Sequence, residues 1–160
     1  MKPELSRLQC TSTFTSELSV RANLDYAPTA KSDLCFDKLD IKPKVTKVLD
    51  SESSWQVVLK TVFDAAAVEN AAYSFTVEVV GFFTCIGIKP KAQARFVRIQ
   101  ACSILYGMSR DALLDAMNKG PWNPIFLPLA SFYTPKDEEP EALQTHQKSN
   151  QDSSTPDYSG

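Results

Sequence analysis

WQVVLKTVFDAAAVENAAYSFTVEVVGFF, residues 55–83, decides the fold class. Trp55–Ala65 alternates with period two: Trp55, Val57, Leu59 and Phe63 share one face, with Val58 and Val62 on the other. Tyr73–Phe83 repeats the pattern more cleanly, setting Tyr73, Phe75, Val77, Val79 and Phe83 against Ser74, Thr76 and Glu78. The connector AAVENAA is short, so the two strands make an antiparallel hairpin with one apolar face.

Two more strands lie on the N-terminal side. Leu39–Leu49 sets Leu39, Ile41 and Val45 against Asp40, Lys42, Lys44 and Thr46. Pro43 cannot donate to a ladder, so this strand belongs on an edge or carries a bulge. A free edge is also a docking place for extended peptides. Leu8–Arg21 places Leu8, Cys10, Phe14, Leu18 and Val20 on a core face and a Thr-rich set outward. Between these strands Ala22–Lys38 breaks all periodicity, and its Leu34, Cys35 and Phe36 argue that it packs onto something.

On the C-terminal side the period changes. Ala92–Tyr106 is apolar at helical spacing, with Phe96, Ile99 and Ser103 on one side and Val97, Ala101, Ile104 and Leu105 around it. Such breadth suits a helix buried on more than one side, under one sheet or shared between subunits. Gly107 interrupts, Ser109 is placed to N-cap a second helical segment over Arg110–Lys119, and Asn118–Pro121 is a stop. Trp122–Tyr133 is proline-stiffened, aromatic and extended.

Composition bounds the rest. The 160 residues carry a formal charge of −2, and no apolar run is long enough to cross a membrane. The N-terminus MKPELSRLQC has no apolar signal region, which makes the cytoplasm the expected address. Cys10, Cys35, Cys85 and Cys102 form no CxxC pair and read as reduced, mostly buried thiols, and the lone His146 speaks against zinc. Residues 1–133 carry 15 basic against 13 acidic side chains, so no nucleic-acid footprint is expected. Residues 134–160 carry two against six and read as an acidic, largely disordered tail, with a short helix around Glu138–His146 weakened by Pro140. Removing that tail is expected to leave the domain, residues 1–133, folded; a large drop in melting temperature on truncation would contradict this.

Catalytic signatures are absent. The domain has no histidine, GxSxG, HExxH, P-loop or GxGxxG, and Glu17 and Glu78 fall on solvent-facing strand positions rather than as a working carboxylate pair. The reading is therefore of a non-enzyme with no cofactor. Large apolar groups in irregular segments, Leu34, Phe36, Trp122, Phe126, Phe132 and Tyr133, either complete the core or line a groove for another chain.

The order of elements resembles the export chaperone SecB and its SecB-like relatives. The residues that carry the resemblance are TSTFTSELSVRA (11–22), WQVVLK (55–60), VGFF (80–83), ILYGMSRD (104–111) and GPWNPIFLPLASF (120–132), in the family's order. It implies an α+β protomer: a four-stranded antiparallel sheet packed on one long kinked helix, then a helical or irregular C-terminal segment. It implies a homo-oligomer, a dimer of dimers, for which Phe14, Leu18, Phe96, Ile99 and Ser103 are the interface candidates. It also implies an ATP-independent holdase for unfolded or precursor polypeptides, in export or beside a toxin–antitoxin system. Groove candidates are Phe36, Leu39, Ile41, Tyr73, Tyr106, Trp122, Phe126 and Phe132. The SecA-facing surface would fall at Glu17, Arg21, Thr76 and Glu78, where Arg21 and Thr76 stand in place of acids and set SecA docking in doubt. The chain also departs from the family at the final helix, where Tyr133-Thr-Pro-Lys-Asp-Glu-Glu-Pro140 replaces an apolar helical run with prolines and acids. An adaptor holding one fixed protein partner on the same fold is the alternative.

Overall fold

A computed structural model describes residues 5–28, 36–68 and 70–133. The tail 134–160, with its expected disorder and short helix, lies outside the described residues, as do Leu34 and Cys35. Strands β1 (Leu8–Ala22), β2 (Asp40–Lys47), β3 (Ser54–Phe63) and β4 (Tyr73–Cys85) form one antiparallel sheet in the order β1-β4-β3-β2. The expected hairpin is β3–β4, with Leu59 opposite Val79 and Phe63 opposite Phe75. The segment between β1 and β2 carries the chain from one edge of the sheet to the other.

Alternation holds through both inner strands. Trp55, Val57, Leu59, Phe63, Tyr73, Phe75, Val77, Val79 and Phe83 are all buried on the face that receives the helix. Pro43 sits in β2 with an uninterrupted register, so the strand needs no bulge; its edge position tolerates the missing donor.

Strand β1 departs from its alternation. Its register against β4 slips between Cys10 and Ser12 and again between Thr15 and Glu17. Each slip inserts one residue and reverses which side chains face the helix. Leu8, Cys10, Leu18 and Val20 pair with helix-side residues of β4, whereas Phe14 pairs with Val80 on the opposite face. The expectation that Phe14 shares the core face is therefore corrected. Along the middle of the strand the large apolar side chains stay half in solvent: Phe14 is 51% and Leu18 46% exposed.

The helix layer is one element, α1 (Pro90–Met117), with Pro90 in its first turn, where a missing N–H costs nothing. It continues unbroken through Gly107, so the expected interruption there is corrected. The Ser109 hydroxyl donates back to the Leu105 carbonyl at 2.9 Å and caps nothing. Tertiary packing outweighs one weak propensity: Gln93, Val97, Ala101, Leu105, Ser109, Leu113 and Met117 recur every fourth residue and are all buried. The stop signal acts where expected, with Asn118 as the last capping residue. A Cβ at Gly107 would meet no atom within 4 Å. Gly107→Ala is accordingly expected to raise stability by about 1 kcal/mol through helix propensity alone, readable as a higher urea midpoint.

Cys85 and Cys102 are buried, and burial pushes their thiols up, that of Cys102 to about 11, with Arg98 opposing. Cys10 is exposed on β1, against the expectation of burial.

Candidate functional site

Past α1 the chain folds back along the helix as an extended strap, residues 118–133. Its first anchor is a cluster of polar and aromatic contacts around Tyr73 at the start of β4. The Tyr73 hydroxyl donates to the Trp122 carbonyl at 2.7 Å and accepts from the Trp122 N–H at 3.0 Å. The Trp122 Nε1 donates to the Asn23 carbonyl at 2.9 Å, and its ring meets Tyr26 edge-on at 5.3 Å. Gly120 is required here, because a Cβ would lie 2.6 Å from the Tyr73 oxygen. Arg110 Nε then donates to the Leu127 carbonyl at 3.1 Å, and the Phe132 ring packs edge-on against Tyr106 at 5.9 Å. Successive anchors thus step from the C-terminal end of α1 towards its middle.

These anchors use the strap's backbone and only some of its side chains. Leu127 is buried and Ile125 and Phe132 are half-buried, while Phe126 is 69% and Leu129 86% exposed. Pro121, Pro124 and Pro128 hold the segment out of helical geometry. The result is apolar surface on a backbone that cannot retract it. Tyr73→Phe should cost about 1–2 kcal/mol, because it strips the half-buried Trp122 backbone of both a donor and an acceptor. The loss should appear first as exposure of the strap to protease.

A second apolar surface lies along the β2 edge, next to the N-terminal half of α1. β2 pairs only with β3 among the described residues, leaving its outer edge unpaired. Ile41 and Val45 face the helix side of this edge, and Leu39 immediately precedes it, all half-buried. Towards the N-terminus of α1 the edge borders a cleft of about 350 Å3 lined by Val45, Trp55, Ala94, Arg95, Arg98 and Ile99.

The groove candidates divide accordingly. Leu39, Ile41, Trp122, Phe126 and Phe132 stand on the β2 edge or the strap. Tyr73 is a core residue whose hydroxyl holds the strap in place, so its reading as a groove liner is corrected. Tyr106 is also buried; its hydroxyl has no hydrogen-bond partner, and burial pushes its pKa up against the pull of Arg110. Phe36 opens a short 3-10 turn, Phe36–Lys38, and its side chain lies outside what the structure describes. Sequence reasoning passed over Leu129, Arg95 and Arg98. Leu129 had a signal, since it lies three residues from Phe126 in the same proline-stiffened segment.

Among the interface candidates, Phe96 is half-buried, Ile99 is buried, and Ser103 is exposed with its hydroxyl donating to the Ile99 carbonyl at 2.8 Å. Glu17, Arg21, Thr76 and Glu78 all sit on the sheet face away from the helix. Glu17 takes a 2.7 Å ion pair from Lys60, which raises the lysine's pKa, and Ser16 donates to Glu78 at 2.7 Å.

Over residues 4–134 the chain matches SecB, described as preprotein translocase subunit SecB. The chain belongs to the SecB family. SecB proteins are chaperones rather than enzymes. Among solved structures the chain is similar to a SecB-like chaperone of Mycobacterium tuberculosis in complex with a ChAD peptide from the HigA1 antitoxin. The likeness has a TM-score of 0.56 at 15% identity and covers 78% of this chain and 91% of that one. No curated protein matches it. As a SecB-family sheet its outward face is mixed in charge, since Arg21, Lys42, Lys44 and Lys60 share that face with Glu17, Glu78 and Asp40. No helix among the described residues is long and apolar enough to cross a membrane.

Proposed function

We propose that this SecB-family protein is an ATP-independent holdase of the cytoplasm that binds unfolded or precursor polypeptides along the strap and the β2 edge. The observation that carries the reading is the exposure of Phe126 and Leu129 on a strap pinned by its own backbone. Apolar side chains held out in this way can cover hydrophobic segments of a client, and the unpaired β2 edge can add backbone pairing. Such contacts tolerate many sequences. Binding the unfolded state alone withholds a client from folding and aggregation by mass action, without catalysis.

Assembly into a homo-oligomer, a dimer of dimers, accounts for the half-exposed middle of β1. A long unprotected edge with Phe14 and Leu18 exposed is a place for a second copy to pair, and Phe96, Ile99 and Ser103 offer the helix side of the contact. Arg21, standing where an acid would be expected, opposes docking of SecA through acidic contacts, which favours a role outside the general export route. The Mycobacterium SecB-like chaperone is itself in complex with a peptide from an antitoxin, in keeping with polypeptide as the ligand class.

The test combines absolute mass by light scattering with suppression of aggregation of several unrelated denatured proteins. A tetramer that suppresses aggregation at near-stoichiometric ratio supports the reading. A protein that protects none of them would make the fixed-partner adaptor the better account.

A further inference from the structure

The cleft between β2 and α1 has an apolar floor, Val45, Trp55 and Ile99, and a basic wall. Arg95 and Arg98 line it, and Lys47 lies directly across from Trp55 in the β2–β3 ladder. No carboxylate lines the cleft among the described residues. Arg95, Ile99, Tyr106 and Arg110 are spaced so that they share one side of α1. The strap crosses Arg110 at Leu127 and Tyr106 at Phe132, so it travels along that side towards the cleft.

Beyond Tyr133 the sequence runs Thr134-Pro-Lys-Asp137-Glu138-Glu139-Pro-Glu141-Ala-Leu143, four carboxylates within five residues ahead of an apolar pair. At 1.5 Å per helical residue, Ile99 lies about 10 Å and Arg95 about 16 Å along the axis from Tyr106. At about 3.3 Å per extended residue, Asp137 can reach about 13 Å beyond Tyr133 and Glu141 about 26 Å. Direction, reach and charge agree. We infer that the acidic segment Asp137–Leu143 docks in cis into the cleft, its carboxylates against Arg98 and Lys47 and its Ala142–Leu143 over the apolar floor. The tail then shields apolar surface next to the β2 edge and acts as a built-in competitor for polypeptide bound there, so this inference extends the holdase reading.

The experiment uses the full chain with 15N-labelled tryptophan. Its two indole N–H signals report separately, Trp55 from the cleft and Trp122 from the Tyr73 cluster some distance away. Replacing Asp137→Asn, Glu138→Gln, Glu139→Gln and Glu141→Gln together should move the Trp55 signal by more than its linewidth and leave Trp122 in place. High salt should reproduce the shift. Once Arg98→Gln has been introduced, the tail substitutions should move Trp55 much less, since the two changes act on one contact. An unchanged Trp122 signal confirms that each variant is folded, and Lys47→Gln serves if Arg98→Gln is not. A Trp55 signal indifferent to the tail charges overturns the inference. So does a shift that grows with protein concentration, which would place the tail in another copy's cleft. No client enters these spectra, so their outcome is separate from that of the aggregation assay.

Discussion

Leu105→Ala is expected to destabilise the protein by about 3 kcal/mol and to lower its melting temperature by about 10 °C. Leu105 is fully buried in the part of α1 that crosses β4. Opposite it stands Gly81, where an added Cβ would come 2.9 Å from the Leu105 Cδ2 and 2.5 Å from the Phe83 ring. The leucine therefore fills the hollow that a glycine leaves in a strand. Val57 and Val79 on the flanking positions belong to hydrogen-bonded strands and cannot move inward to fill the space left by an alanine. The cavity persists, which puts the cost well above bare transfer energy. Ile104→Ala, one position away and 42% exposed, should cost less than about 1 kcal/mol. Equilibrium unfolding in urea compares the two directly. Equal losses would mean that the helix is rotated from its described phase.

Phe126→Asp with Leu129→Asp should abolish suppression of client aggregation while changing stability by no more than about 0.5 kcal/mol. Both side chains are exposed and neither contributes to the hydrophobic core. Placing carboxylates there removes the apolar contact and adds a desolvation penalty for any client laid across them. The strap itself is held by Leu127, Trp122 and Phe132, which the double substitution leaves alone. Retained circular dichroism with lost protection would locate client contact on the strap. Full protection by the variant would move the proposed site to the β2 edge.

The inner face of both central strands was legible residue by residue, because its side chains are buried in an unbroken period-two series, even though Val58, Val62, Val80 and Phe82 put apolar groups on the outer face as well. The edge placement of β2 was legible too, from one proline. The strap announced its extended form through Pro121, Pro124 and Pro128, and its family resemblance through GPWNPIFLPLASF. Tyr73 shows where pattern stops: alternation placed it inside, but nothing local says that its hydroxyl clasps a backbone 49 residues away.

Strand β1 and the helix mark the division most clearly. Alternation along residues 8–21 established a strand, and helical spacing along 92–106 established a helix, since each depends only on near neighbours. The two bulges that turn Phe14 away from the helix arise from pairing with β4, a partner more than sixty residues distant. The unbroken passage of α1 through Gly107 likewise depends on the sheet beneath it, whose burial of every fourth residue outweighs a glycine's local preference. Local periodicity determined which segments are strands and helix. Only long-range packing decided which face each residue presents, because register and burial are properties of two surfaces in contact.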